Sequence, residues 1–150
     1  MKILIERIKK HEGYRDHVYA DSKGNLTCGW GHHLWNGSPI HKEISEIFLR
    51  QDIANSIRDY RTLMESFSVP IVRVLNIERR RVIVEMIFNM NIQKVLGFKK
   101  MWACIKRRDW TGAKREMLGS KWHDQVGKRA ETLADIMEKG TNNLQTEVRK

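Results

Sequence analysis

The chain has 150 residues, 41% hydrophobic and 31% charged, with a formal net charge of +10. This is the make-up of a folded protein of one domain or two small lobes, and it excludes a disordered chain. No apolar run approaches the ~20 residues that cross a bilayer. Met1 to Ile8 is broken by Lys2, Glu6 and Arg7 too soon for a signal peptide, so cytoplasmic synthesis is expected. Residues 1–66 carry 10 Lys and Arg against 9 Asp and Glu, whereas residues 67–150 carry 18 against 9. A lobe that basic, with runs such as Arg79-Arg80-Arg81 and Lys106-Arg107-Arg108, suits a polyanionic partner. Cys28 and Cys104 lie far apart without metal-ligand spacing, which favours buried free thiols over a disulfide.

In chain order, Ile3, Leu4 and Ile8 with charged residues between them predict a short amphipathic helix ending near Gly13. His17-Val18-Tyr19 and Leu26-Thr27-Cys28 are β-favouring runs flanking Asp21-Ser22-Lys23-Gly24-Asn25, a polar turn with a glycine suited to positive φ. They predict a hairpin in which Asp21 and Thr27 face one another, with Trp30 to Leu34 as a third strand. After a break at Gly37-Ser38-Pro39, Ile44, Ile47, Phe48, Gln51, Ala54, Ile57, Arg61 and Met64 recur at three- and four-residue steps. That stripe predicts one long helix over about 42–66. Residues 77–91 are apolar on more than one side and predict a buried central helix; Gly97, Asp109, Gly119 and Gly127 then divide shorter helices up to Gly140. Residues 141–150 are polar and expected to fray. The fold class is α+β. A small N-terminal lobe with a β-hairpin sheet (about 1–41) is joined by the long helix to an α-helical C-terminal lobe (about 67–150), with a cleft expected between them.

The chemistry concentrates in the first lobe. Glu12 ends the first helix, Asp21 follows nine residues later, and Thr27 lies beyond the turn. Two carboxylates in different environments are what glycosidic hydrolysis needs: one protonated to donate to the leaving oxygen, the other ionised to help a water. A hydroxyl beside the ionised group can hold that water. By itself this spacing is a weak signal, because acids and threonines are common on hairpins.

More of the chain bears on that reading. Glu12-Gly13-x-Arg15, Tyr19-x-Asp21 and Thr27-Cys28-Gly29-Trp30-Gly31-His32 are followed by Met86 to Met90, Gly97-Phe98, Trp110, Ser120 to Gln125 and Lys128-Arg129-Ala130. In that order and spacing they resemble the phage-type lysozymes (endolysins), most of all the T-even branch of that family. The resemblance spans nearly the whole chain. It implies a lysozyme-like fold and a muramidase that cleaves the β-1,4 bond between N-acetylmuramic acid and N-acetylglucosamine with inversion. Glu12 would be the general acid, with Asp21 and Thr27 handling the water. It implies substrate contacts from Gly31, His33, Phe88, Asn89 and Arg129, and a His32–Asp52 ion pair between the sheet and the long helix. No cofactor or metal is implied. The partner would be bacterial peptidoglycan rather than nucleic acid, met by a monomer that does not insert into membranes and that waits in the host cytoplasm until a holin opens the way to the wall.

Three other readings stay open: a tail-associated or bacterial lysozyme with the same chemistry, a catalytically silent wall- or nucleic-acid-binding module, and a transglycosylase needing one acid. Trp102, Trp110 and Trp122 are expected in the core, while Trp30 and Trp35 could stack on a sugar ring.

Overall fold

The computed structural model of the protein describes residues 1–67 and 71–141. Its elements are α1 (Lys2–Glu12), β1 (Arg15–Ala20), β2 (Leu26–Gly29), β3 (His32–His33), α2 (Lys42–Glu65), a 3-10 turn (Ile71–Arg73), α3 (Ile77–Met90), α4 (Ile92–Leu96), α5 (Lys99–Lys106), α6 (Trp110–Leu118), α7 (Lys121–Val126) and α8 (Lys128–Lys139). The expected α+β architecture is present, with one small antiparallel sheet near the N-terminus and a helical remainder. The chain divides into two compact units, residues 1–45 and 46–150, with the boundary inside α2. Past Thr141, the segment expected to fray lies outside the described residues.

In the N-terminal unit α1 stops where Gly13 leaves the helix, its amide donating to Lys9 O at 3.1 Å. The strands run in the order β1-β2-β3. Tyr19 pairs with Thr27 and Ala20 with Leu26, and the register then breaks between Arg15 and Tyr19, where β1 carries extra residues opposite β2. The third strand is shorter than predicted. Gly29 and Gly31 take φ of +60° and +75°, so Gly29-Trp30-Gly31 turns sharply and only His32 and His33 pair with β2. The β-preference of Trp30 yields to the left-handed backbone on either side of it. No apolar core forms here: among residues 1–45 Thr27 is the buried side chain, 1% exposed. Besides the strand ladder, ring contacts hold the unit. Trp30 lies 4.7 Å from Tyr14 and under the Lys9 ammonium at 4.9 Å, which ties the loop to the end of α1.

The helical unit holds the hydrophobic core. Val82, Ile83, Met86 and Ile87 of α3 are 3% exposed or less, as expected of the central helix. Trp102 and Trp122 are buried and Trp110 packs half-buried against the same core. Cys104 is a buried free thiol, and Cys28 a half-buried one. α2 differs from expectation in the face it buries, which is Ser56, Tyr60, Leu63 and Met64; of the predicted stripe only Met64 is among them. Periodicity marks a helix as amphipathic, but which turns meet the core depends on where the core begins.

Sequence punctuation fixes the helix ends. Asn76, Asp109 and Ser120 cap α3, α6 and α7 by accepting from the amides of Arg79, Gly112 and His123. At the far end of α8, Gly140 turns left-handed, and a side chain there would meet Asn76 and Arg79 within 3 Å. The last carbonyls of α8 have no partner within the helix. They are met by α3: Arg79 Nε donates to Met137 O at 2.7 Å, Arg79 Nη2 to Glu138 O at 2.9 Å, and Asn76 Nδ2 to Gly140 O at 2.8 Å. The guanidinium also lies 3.7 Å from the centre of the Trp110 ring. Partial burial holds the Arg79 pKa below its usual value, but arginine stays charged, so a cation faces the negative end of the α8 dipole. Replacing Arg79 by Ala is expected to cost about 2–3 kcal/mol in urea unfolding. Arg79→Lys should recover less than half of that loss, because an ammonium lacks the planar fork.

Candidate active site

The turn between β1 and β2 is organised by one carboxylate. Asp21 Oδ1 accepts from the amides of Lys23 and Asn25, each at 2.8 Å, and Oδ2 accepts from Asn25 Nδ2 at 3.1 Å. The backbone closes the same loop, Asp21 N donating to Asn25 O at 2.9 Å and Gly24 N to Asp21 O at 3.0 Å. The Asn25 side chain and amide are the main reasons the Asp21 carboxyl sits below the usual carboxylate range; the Lys23 amide and the charge of His33 add to them, against desolvation. Asp21 is thus kept ionised at neutral pH.

Thr27 does not stand opposite Asp21 as predicted. Its cross-strand partners are Tyr19 on β1 and His33 on β3, while Asp21 lies two residues beyond Tyr19 and is matched by Asn25. Side chains alternate along a strand and cross-strand partners share a face, so Asp21, Thr27 and His33 still project from one side of the sheet. The Thr27 hydroxyl donates to Asn25 O at 3.1 Å, which commits its proton and leaves its lone pairs as acceptors.

Glu12 is the last residue of α1 and is exposed. Its carboxylate lies against the bare α-carbon of Gly31: a Cβ there would sit 3.0 Å from Glu12 Oε2. The Lys9–Trp30–Tyr14 stack holds the loop carrying Gly31 beside α1. One unit therefore holds Glu12, Asp21, Thr27, Gly31 and His33, with His33 Nε2 3.5 Å from Asp21 Oδ2. Sequence reasoning missed the roles of Asn25 and Trp30. An Asx-type turn at Asp21-Ser22-Lys23-Gly24-Asn25 was a usable signal for Asn25.

The remaining predicted residues lie elsewhere. His32, on β3, pairs in register with Cys28, while Asp52 is on the part of α2 that belongs to the helical unit. Their ion pair stays an expectation of the sequence. Within the helical unit, Phe88 is 40% exposed and Arg129 is paired with Glu85 of α3 at 3.1 Å. Both line a groove of about 630 Å³ along α2 and α3 whose other walls include Leu49, Ile53, Ile57 and Val84. Asn89 Oδ1 accepts from Trp122 Nε1 at 2.7 Å, which fixes the orientation of its amide. Among the described residues no group of three or more His, Cys, Asp and Glu is arranged to hold a metal ion, and no helix is long and apolar enough to cross a membrane.

Comparison with known proteins adds a second line of observation. A family model described as phage lysozyme matches residues 9–138. The chain is 26% identical over 168 aligned residues to probable T4-type lysozyme 1 of Dictyostelium discoideum, covering 93% of this chain and 96% of that protein. Identity to probable T4-type lysozyme 2 of the same organism is 26%, covering 92% and 95%. It is also 26% to the pre-baseplate central spike protein Gp5 of Enterobacteria phage T4, covering 95% of this chain but 28% of that one.

The Asp21 geometry sets a pH response. A carboxyl with a lowered folded pKa stabilises the turn fully above its unfolded value, and that contribution is lost as pH falls through the lower folded value. The amide protons of Lys23 and Asn25 are expected to titrate together in NMR spectra with a midpoint below about 4. Asp21→Asn should abolish that shared transition.

Proposed function

The chain belongs to the phage lysozyme family and is a glycoside hydrolase acting on peptidoglycan, and from that premise we propose that it is an endolysin. It cleaves the β-1,4 bond between N-acetylmuramic acid and N-acetylglucosamine by single displacement, inverting the anomeric carbon. Glu12 gives its proton to the glycosidic oxygen as the bond to the anomeric carbon breaks. A water on the opposite face of the sugar attacks that carbon and passes its proton to Asp21. What carries this reading is the acceptor pattern around the turn. Asp21 is ionised, with Oδ1 filled by two amides and Oδ2 more open, and the buried Thr27 hydroxyl has lone pairs to spare. A water donating to Asp21 and to Thr27 has its own lone pair left for the sugar.

Gly31, by its lack of a side chain, leaves Glu12 its place; we assign it and His33 to the substrate side of this unit. Phe88, Asn89 and Arg129 are proposed as further contacts to the wall polymer from the helical unit. The protein works as a monomer, without cofactor, made in the host cytoplasm and admitted to the wall by a holin at lysis. One observation favours a second reading. The likeness to a central spike protein over 95% of this chain suits the same cleavage used to open the wall at the start of infection, and finding the chain in purified virions would favour that reading.

Digestion of purified peptidoglycan, with products read by mass spectrometry, tests the chemistry. Reducing muramic ends, released first as the α anomer in proton NMR, are expected from the wild type. Glu12→Gln should fold normally and lose about 10²–10⁴ in rate. Anhydro-muramic ends would instead indicate a transglycosylase. Gly31→Ala is expected to lose only about 1 kcal/mol of stability, the strain of alanine at positive φ. Its rate should fall by on the order of 10²-fold, because the flexible Glu12 carboxylate, not the backbone, gives way to the new methyl group.

A further inference from the structure

Beyond the Asn25 side chain, His33 also approaches the less crowded oxygen of Asp21. Both amide bonds of the turn fall on Oδ1, whereas Oδ2 has the Asn25 side chain at 3.1 Å and His33 Nε2 at 3.5 Å. A separation of 3.5 Å is longer than a good hydrogen bond, so the attraction depends on the charge of the ring. The backbone of His33 is fixed by pairing with Thr27, and the Leu34 amide just beyond donates to Leu26 O at 2.7 Å. The ring itself is 55% exposed against 19% for the Asp21 side chain, so the imidazole is the partner free to swing.

We propose that His33 is a positioning residue that sets the acid limit of hydrolysis. Its protonated ring closes on Asp21 Oδ2, the oxygen the attacking water needs, and its neutral ring releases that oxygen. This rests on the reading of Asp21 as the group that directs the water. Other titratable or charged groups of the elements next to His33 are His32 beside it on β3, Cys28 and, through Thr27, Tyr19 in register on β2 and β1, with Lys23 in the turn and Glu12 at the end of α1. Among the described residues Asp21 is the acid within ion-pair distance of the ring. An imidazole gains its proton at higher pH than a carboxylate does, so a limb carried by a histidine is separable from one carried by an aspartate. An exposed pair shifts an equilibrium by up to about fivefold, which bounds the effect.

The test is the pH profile of peptidoglycan hydrolysis from pH 4.5 to 8 for the wild type, His33→Gln and His33→Leu, each normalised to its own maximum, with folding checked by thermal melting. The wild-type profile divided by that of either neutral variant should fall by about fivefold between pH 7.5 and 5, a limb that neither variant shows; protonation of Glu12 is common to all three and cancels in that ratio. The polar and apolar replacements guard against a failure of either one to fold. An unchanged limb in the folded variants overturns the proposal, and so does loss of activity at every pH, which would make the ring itself indispensable. Asp21→Asn separates the two layers. If it keeps the wild-type rate, the reading of Asp21 fails; if it is inactive while the His33 variants retain the limb, only the role of His33 fails.

Discussion

A carboxylate has two oxygens to share, and the N-terminal unit depends on how Asp21 divides them. Oδ1 takes the amides of Lys23 and Asn25 and so closes the turn that pairs β1 with β2. The cost of leaving those amides unmet would fall on a unit with no apolar core to absorb it. Because both amides fall on one oxygen, the other, with the Asn25 side chain and His33 beside it, is the less crowded. A segment of sheet held together by hydrogen bonds and ring contacts thus places its proposed reacting groups among the interactions that fold it. Glu12 follows the same rule: the Trp30 stack that fastens the β2–β3 loop to α1 also brings the bare face of Gly31 under its carboxylate.

The helical unit is built on the opposite principle. Its stability comes from burial around α3, and its polar devices sit at helix ends, where backbone groups would otherwise go unmatched. Arg79 and Asn76 join the start of α3 to the end of α8, elements about sixty residues apart in the chain. This also changes how the strong positive charge of the C-terminal part is understood. Arg79 is spent on carbonyls, Lys114 is shared between Asp135 and Glu138 at 2.7 Å each, and Arg129 is held by Glu85. Others, Lys99, Lys100, Lys106, Arg107 and Arg108 among them, remain exposed and present their charge to an anionic polymer.

Much of this was legible in the sequence because its cause is local. Turn-forming residues predict the hairpin, and Gly13, Gly127 and Gly140 mark helix ends because few other residues take a positive φ cheaply. What was misread depends on longer-range geometry. Trp30 belongs to a loop because glycines on both sides turn the chain. Thr27 faces Tyr19 because the observed register lies two residues along β1 from the expected one, which changes the partner and keeps the face, and α2 buries a face that its apolar stripe alone does not identify.

By itself, then, the sequence determined an α+β chain whose proposed reacting groups, Glu12, Asp21 and Thr27, travel on one short segment, since both follow from local pattern. The tertiary structure alone decided which oxygen of Asp21 is filled, that His33 meets the other, and that Glu12 rests on Gly31. Those are matters of distance between groups that the chain separates, and the spacing of residues carries no record of them until strand register and loop geometry bring the atoms together.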